Sequence, residues 1–201
     1  ASAVPIARSL FLDETQLLDS INMTLKKAKA LSNNRIEFFS SEDLSKKIAS
    51  LELLEELKQS VEHHCEGFEV YYQPQLRAGN YDLYGVEALL RYNSKIRGKV
   101  FPDEFIPVLE QSGLIKDVGM WVLEQALIQC KEWRKAIPDL HVSVNFSVLQ
   151  FEDHYLAENV VEKLKEVGLT GDALTVEITE SVEIHNSEQI MNAIKYLKEY
   201  N

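Results

Sequence analysis

The chain has 201 residues and a mass of 23.0 kDa, and its 45% hydrophobic and 26% charged residues exclude a disordered or fibrous protein. Its formal net charge of −11 repels phosphate backbones at long range, which argues against duplex nucleic acid and requires that cations be supplied locally for any small anionic ligand. No run approaches the roughly 18 apolar residues of a membrane span and no charged-then-apolar segment opens the chain, so the sequence reads as cytoplasmic, with membrane attachment only through parts of a parent protein outside it.

The spacing predicts a short strand over Ala3 to Ala7, then a helix opened by a capping box from Asp13 to Gln16, with Leu17, Leu18, Ile21, Leu25 and Ala28 on its apolar side. A strand over Arg35 to Phe39 follows. Asp43 to about His64 carries Leu44, Ile48, Leu51, Leu54, Leu57 and Val61 at helical spacing, which reads as a long, solvated connecting helix. Strands are expected over Phe68 to Gln75 and Tyr81 to Tyr92, separated by a turn at Gly79-Asn80. Helices follow from Pro102 to about Gln111 and from Ile115 to Ile137. A strand over Leu140 to Ser147, a helix over Tyr155 to Val167 closed by Gly168, a strand over Ala173 to Thr179 and a helix from Ser187 complete the series. This alternation predicts an α/β fold with a parallel sheet. Cys65 and Cys130 lack metal-like spacing and read as reduced thiols, Trp121 and Trp133 read as core, and none of the five histidines has ligand spacing.

Period-2 reading of three strands yields the most informative pattern. Glu87, Leu89 and Arg91 share a face, as do Ser143, Asn145 and Ser147, and Thr175, Glu177 and Thr179, while the alternate residues are apolar. Burying Glu87 and Glu177 requires a compensating cation or hydrogen-bond network. Two carboxylates and an amide carbonyl are hard oxygen donors suited to Mg²⁺ or Mn²⁺. On spacing alone, solvated strand ends or pairing with Arg91 account for the same residues somewhat better.

The run Glu87-Ala88-Leu89-Leu90-Arg91 resembles the signature of EAL domains, the cyclic di-GMP phosphodiesterases. It stands in series with Tyr72-Gln73-Pro74-Gln75, Phe105-Ile106-Pro107, Glu110-Gln111-Ser112-Gly113-Leu114-Ile115, Val144-Asn145-Phe146-Ser147 and Glu177-Ile178-Thr179-Glu180-Ser181, in the family's order. The resemblance implies a TIM-like (β/α) barrel that hydrolyses cyclic di-GMP to linear 5'-pGpG with Mg²⁺ or Mn²⁺ at its C-terminal mouth. It implies that Glu87, Asn145 and Glu177 are metal ligands, that Arg91 contacts substrate phosphate and that Gln73 lies near the bound dinucleotide. Tyr92 stands where the family usually has Trp. The family's Asp-Asp-Phe-Gly strand and its later Lys, Glu and Gln have no counterpart before Asn201, so the general base is expected beyond that residue.

Phe68 to Asn201 is about half of the roughly 250 residues of an eightfold barrel, which predicts a partial barrel that is inactive on its own. Residues 1–42 resemble the closing helix and strand of a GGDEF domain, on Leu17-Leu18, Ala28-Lys29 and Asn34-Arg35-Ile36, with Ile21-Asn22 and Leu25 where that family has Ala-Asp and Tyr. The expected organisation is therefore an N-terminal α/β remnant over 1–42, a connecting helix over 43–66 and the first part of an EAL domain over 67–201. Two other readings stand beside the enzyme: a barrel that only binds cyclic di-GMP and signals through the connecting helix, and a scaffold that binds no nucleotide. Homodimerisation is left open.

Overall fold

The structure, a computed structural model, describes residues 2–3, 14–31, 37–38, 41–179 and 187–200. Contacts divide it into two units, Ala1–Leu53 and Leu54–Asn201. In the first, strands β1 (Ser2–Ala3) and β2 (Glu37–Phe38) pair in parallel beside helix α1 (Glu14–Leu31). The buried stripe of α1 is Ser20, Thr24 and Ala28, with the Thr24 hydroxyl donating to the Ser20 carbonyl at 2.7 Å. Leu18 and Ile21, expected inside, are exposed. The sequence pattern ranked side chains by hydropathy, whereas three small residues at i, i+4 and i+8 let the helix backbone approach its neighbours. The expected cap at Asp13, the strand residues Val4 to Ala7, and Arg35, Ile36 and Phe39 lie outside the described residues.

Helix α2 (Ser41–Glu62) spans the division between the units, and in its second half Leu57 is fully buried. Ile48 and Leu51, read as part of the apolar stripe, are exposed. A turn follows in which His64, Cys65 and Gly67 have positive φ. Gly67 is required there, because a Cβ would stand 2.9 Å from the Asn93 carbonyl oxygen in a backbone with φ of 87°.

From this turn the chain builds a sheet in the order β3-β4-β6-β7, using β3 (Phe68–Leu76), β4 (Leu83–Ser94), β6 (Val142–Ser147) and β7 (Leu174–Thr179). Strands β4, β6 and β7 run parallel, as the strand–helix alternation predicted, and β3 joins β4 in an antiparallel hairpin across the expected Gly79-Asn80 turn. A further short strand, β5 (Gly98–Val100), forms a second hairpin with β4. Its three residues carried too little periodicity to be read.

Helices α3 (Pro102–Ser112), α4 (Ile115–Arg134), α5 (Leu156–Val167) and α6 (Ser187–Glu199) fall close to their expected places. Pro102 fits the first turn of α3, where its missing N–H has no helical partner to lose, and Gly113 and Gly168 end their helices in left-handed geometry. The apolar face of the sheet, with Val86, Ala88, Val142, Val144 and Phe146, is buried together with Val118, Val122, Leu123 and Leu127 of α4. Each Val, Leu or Phe side chain among them contributes roughly 1.5–3 kcal/mol on burial. The two tryptophans are half-buried and each joins a ring cluster, Trp121 with Phe68 and Trp133 edge-on to Tyr72 at 4.8 Å. Cys65 and Cys130 are both buried, free thiols.

The last two turns of α2 and the turn that follows them are fixed to the β4–β5 hairpin by polar contacts. Glu56 accepts from Ser94 and forms an ion pair with Arg97 at 3.0 Å, and Lys95 meets Glu66 at 2.7 Å. Ser60 Oγ and Tyr92 Oη lie 2.9 Å apart. Tyr92→Phe keeps the ring packing against Phe68 and Phe105 but loses this bond, and is expected to lower stability by about 1 kcal/mol in urea denaturation.

Burial, with a smaller contribution from Asp117, pushes the Cys65 thiol from 9.0 up to about 11. Burial also pushes the Tyr72 phenol from 10.0 up to about 12. Folded values above the unfolded ones mean that stability present below pH 9 is lost as pH rises through 11 and 12. Urea midpoints measured from pH 8 to 12 are expected to fall steadily over that window.

Candidate functional site

Strand pairing determines which side chains can meet. Asn145 lies opposite Glu177 across the β6–β7 ladder, Glu87 opposite Ser143 across β4–β6, and Gln73 opposite Glu87 across β3–β4. All five sequence-predicted residues, Gln73, Glu87, Arg91, Asn145 and Glu177, therefore share the polar face, away from the apolar face toward α4. Glu87, Arg91, Asn145 and Glu177 are half-buried, and Gln73 is exposed.

The β4–β6 ladder ends at Ala88↔Val144. Beyond that point β4 leaves to pair with β5, and β6 continues beside β7 alone. Where the strands part, Asn145 Nδ2 donates to Glu87 Oε1 at 2.8 Å. The amide oxygen of Asn145 and the carboxylate of Glu177 have no hydrogen-bond partner among the described residues. Arg91 forms no ion pair with Glu87 there. Its Nη1 donates to the Leu90 carbonyl at 2.8 Å and its guanidinium lies 5.6 Å from the Tyr71 ring centre. A cation is thus held on the polar face of a strongly acidic chain without being neutralised by the nearby carboxylates.

Two carboxylates and a free amide oxygen on adjacent strands fit a hard divalent cation and do not require histidine. Among the described residues no group of three or more His, Cys, Asp or Glu side chains could hold a metal, so any such site here depends on the amide. His141, the residue before β6, is lowered below its ordinary value by burial, then by Arg77 and Arg134, and stacks edge-on to Tyr84 at 4.5 Å. His185 and Glu180-Ser181 lie outside the described residues. A cavity of about 300 Å³ bounded by Leu164, Val176 and Leu197 lies toward the helices and is mainly apolar.

Sequence reasoning missed the supports around Asn145. Ser147 Oγ donates to Glu110 Oε1 at 2.6 Å, and its N–H donates to Gln150 Oε1 at 2.9 Å. The second contact is half of a capping box that opens a 3₁₀ turn over Val148–Glu152. Its signal was the Ser-x-x-Gln spacing.

A helix-backed sheet whose strands β4, β6 and β7 run parallel and carry acidic and amide side chains on one face has the arrangement of (β/α)-barrel proteins. Residues 53–201 match the EAL domain family model, and the chain belongs to that family. It is 32% identical over 200 residues to the oxygen sensor protein DosP of Escherichia coli K12, covering 98% of this chain and 24% of that protein. It is 31% identical over 183 residues to MucR of Pseudomonas aeruginosa, a bifunctional diguanylate cyclase/cyclic di-GMP phosphodiesterase, covering 90% and 26%. The chain therefore spans about a quarter of these curated relatives. The solved MucR phosphodiesterase in complex with cyclic di-GMP superposes with a TM-score of 0.68 at 32% identity, over 75% of this chain and 60% of that one. The FimX EAL domain of Xanthomonas citri, at 23% identity and a TM-score of 0.61, shares the fold. Among the described residues no helix is long and apolar enough to cross a membrane.

Asn145→Asp replaces the donor to Glu87 with a like charge. It is expected to destabilise the chain by about 1–3 kcal/mol at pH 7. The loss should shrink at low pH, where a protonated oxygen restores a donor, and denaturant midpoints at pH 7 and at about pH 4 check this.

Proposed function

We propose that the protein containing this chain hydrolyses cyclic di-GMP to linear 5'-pGpG, with Glu87, Asn145 and Glu177 as ligands of Mg²⁺ or Mn²⁺. The observation that carries the reading is the single polar face on which these residues converge, with Arg91 beside them, within the span that matches the EAL family. A bound divalent ion would lower the pKa of a water and stabilise charge on the attacked phosphate. Glu87 and Glu177 supply its charge complement, and Asn145 supplies a neutral oxygen while its Nδ2 orients the Glu87 carboxylate. Arg91, steadied by Tyr71 and the Leu90 carbonyl, receives a substrate phosphate. Gln73, opposite Glu87 and exposed, contacts the dinucleotide.

The same reading assigns residues 1–42 to the end of a GGDEF-like domain, 43–66 to a connecting helix and 67–201 to the first part of the EAL domain. In the complete protein, Glu87→Gln is expected to reduce metal-dependent hydrolysis by more than about a hundredfold, beyond the typical effect of an outer-shell change. Arg91→Ala should raise KM and leave Mg²⁺ binding by calorimetry unchanged. Parental turnover in Glu87→Gln refutes the metal-ligand assignment.

A further inference from the structure

Asn145 is the first residue of β6 beyond the β4 ladder, since the last β4–β6 pair is Ala88↔Val144. Three residues of a six-residue strand, Asn145 to Ser147, are thus hydrogen-bonded as a ladder on the β7 side alone. A strand end paired on one side is free to twist, and a ligand on it would lose its aim. Ser147, two residues along the same face, is nevertheless 5% exposed and held from two directions. Glu110, in the last turn of α3, accepts its hydroxyl proton, and Gln150 accepts its N–H.

Gln150 is itself tightly confined. It is 1% exposed and lies against Gly119 of α4, where a Cβ would stand 2.1 Å from Nε2. Its Nε2 is buried with no acceptor among the described residues. Leaving a buried donor unpaired is costly, so this arrangement sets the Oε1 contact to Ser147 above satisfaction of the amide's own nitrogen.

We propose that Glu110 and Gln150, the latter seated by Gly119, are positioning residues that replace the missing β4 ladder and hold Asn145 in line with Glu87 for metal binding. The inference rests on Asn145 being a metal ligand. Ser147 transmits the constraint through two residues of backbone. Neither Glu110 nor Gln150 touches the metal in this account, and Glu110 acts as an acceptor, its charge being dispensable.

The test uses the complete protein, with Mg²⁺ affinity read by calorimetry and kcat and KM read at saturating Mg²⁺. Glu110→Ala and Ser147→Ala are expected to weaken Mg²⁺ binding by about 10–100-fold, the range for outer-shell partners of metal ligands. Their KM for cyclic di-GMP should stay near the parent's. Glu110→Gln, which retains an acceptor oxygen, should restore parental affinity. Gly119→Ala, remote from the face, should reproduce the defect by displacing Gln150, and it keeps the question open to test if Glu110→Ala fails to fold. Parental Mg²⁺ affinity in both Ser147→Ala and Gly119→Ala overturns the proposal, as does a Glu110→Gln variant as weak as Glu110→Ala. Asn145→Ala is measured in parallel: if it binds Mg²⁺ as the parent does, the ligand assignment is what fails, whatever the other variants show.

Discussion

The hydrogen bond from Asn145 to Glu87 spans the point where β4 and β6 separate, and the architecture of the polar face follows from that separation. Parallel strands joined by backbone hydrogen bonds along their whole length leave little room between neighbouring side chains. Here β4 turns toward β5 after Ala88, so the space beside Asn145 is bridged by side chains. An amide suits that bridge because it donates from one atom and keeps an acceptor on the other. A third carboxylate would repel Glu87, and an apolar residue would leave the Glu87 oxygen without its donor.

Charge is managed on the same principle. The chain is acidic overall, yet Arg91 stays unpaired with the neighbouring glutamates because a backbone carbonyl and an aromatic face hold it. A guanidinium satisfied by neutral partners retains its attraction for an incoming anion. The opposite face of the sheet carries no such compromise. It is filled by Val86, Val142, Val144 and Phe146, and it stabilises the strands whose other side is polar.

Much of this was legible in the sequence, since a period of two assigns faces without knowledge of the fold. It placed Glu87, Arg91, Asn145 and Glu177 together and located α3 to α6 within a few residues. It failed where burial followed size more than hydropathy, as with Ser20 and Thr24 inside while Leu18 and Ile21 are outside. The short β5 escaped because its three residues carry too little periodicity. Glu110 and Gln150 escaped as supports because they meet Ser147 across 37 and 3 residues respectively. Only the shorter of those links leaves a local sequence trace.

The contacts between the end of α2 and the β4–β5 hairpin give the sheet a mechanical handle. Glu56 grips Ser94 and Arg97, and Ser60 meets Tyr92, the residue directly after Arg91. Contacts so dense leave the last two turns of the helix and the far end of β4 little freedom to slide past each other. These contacts tie the C-terminal end of the helix to the strand that carries both Arg91 and Glu87, so the two share one rigid seam.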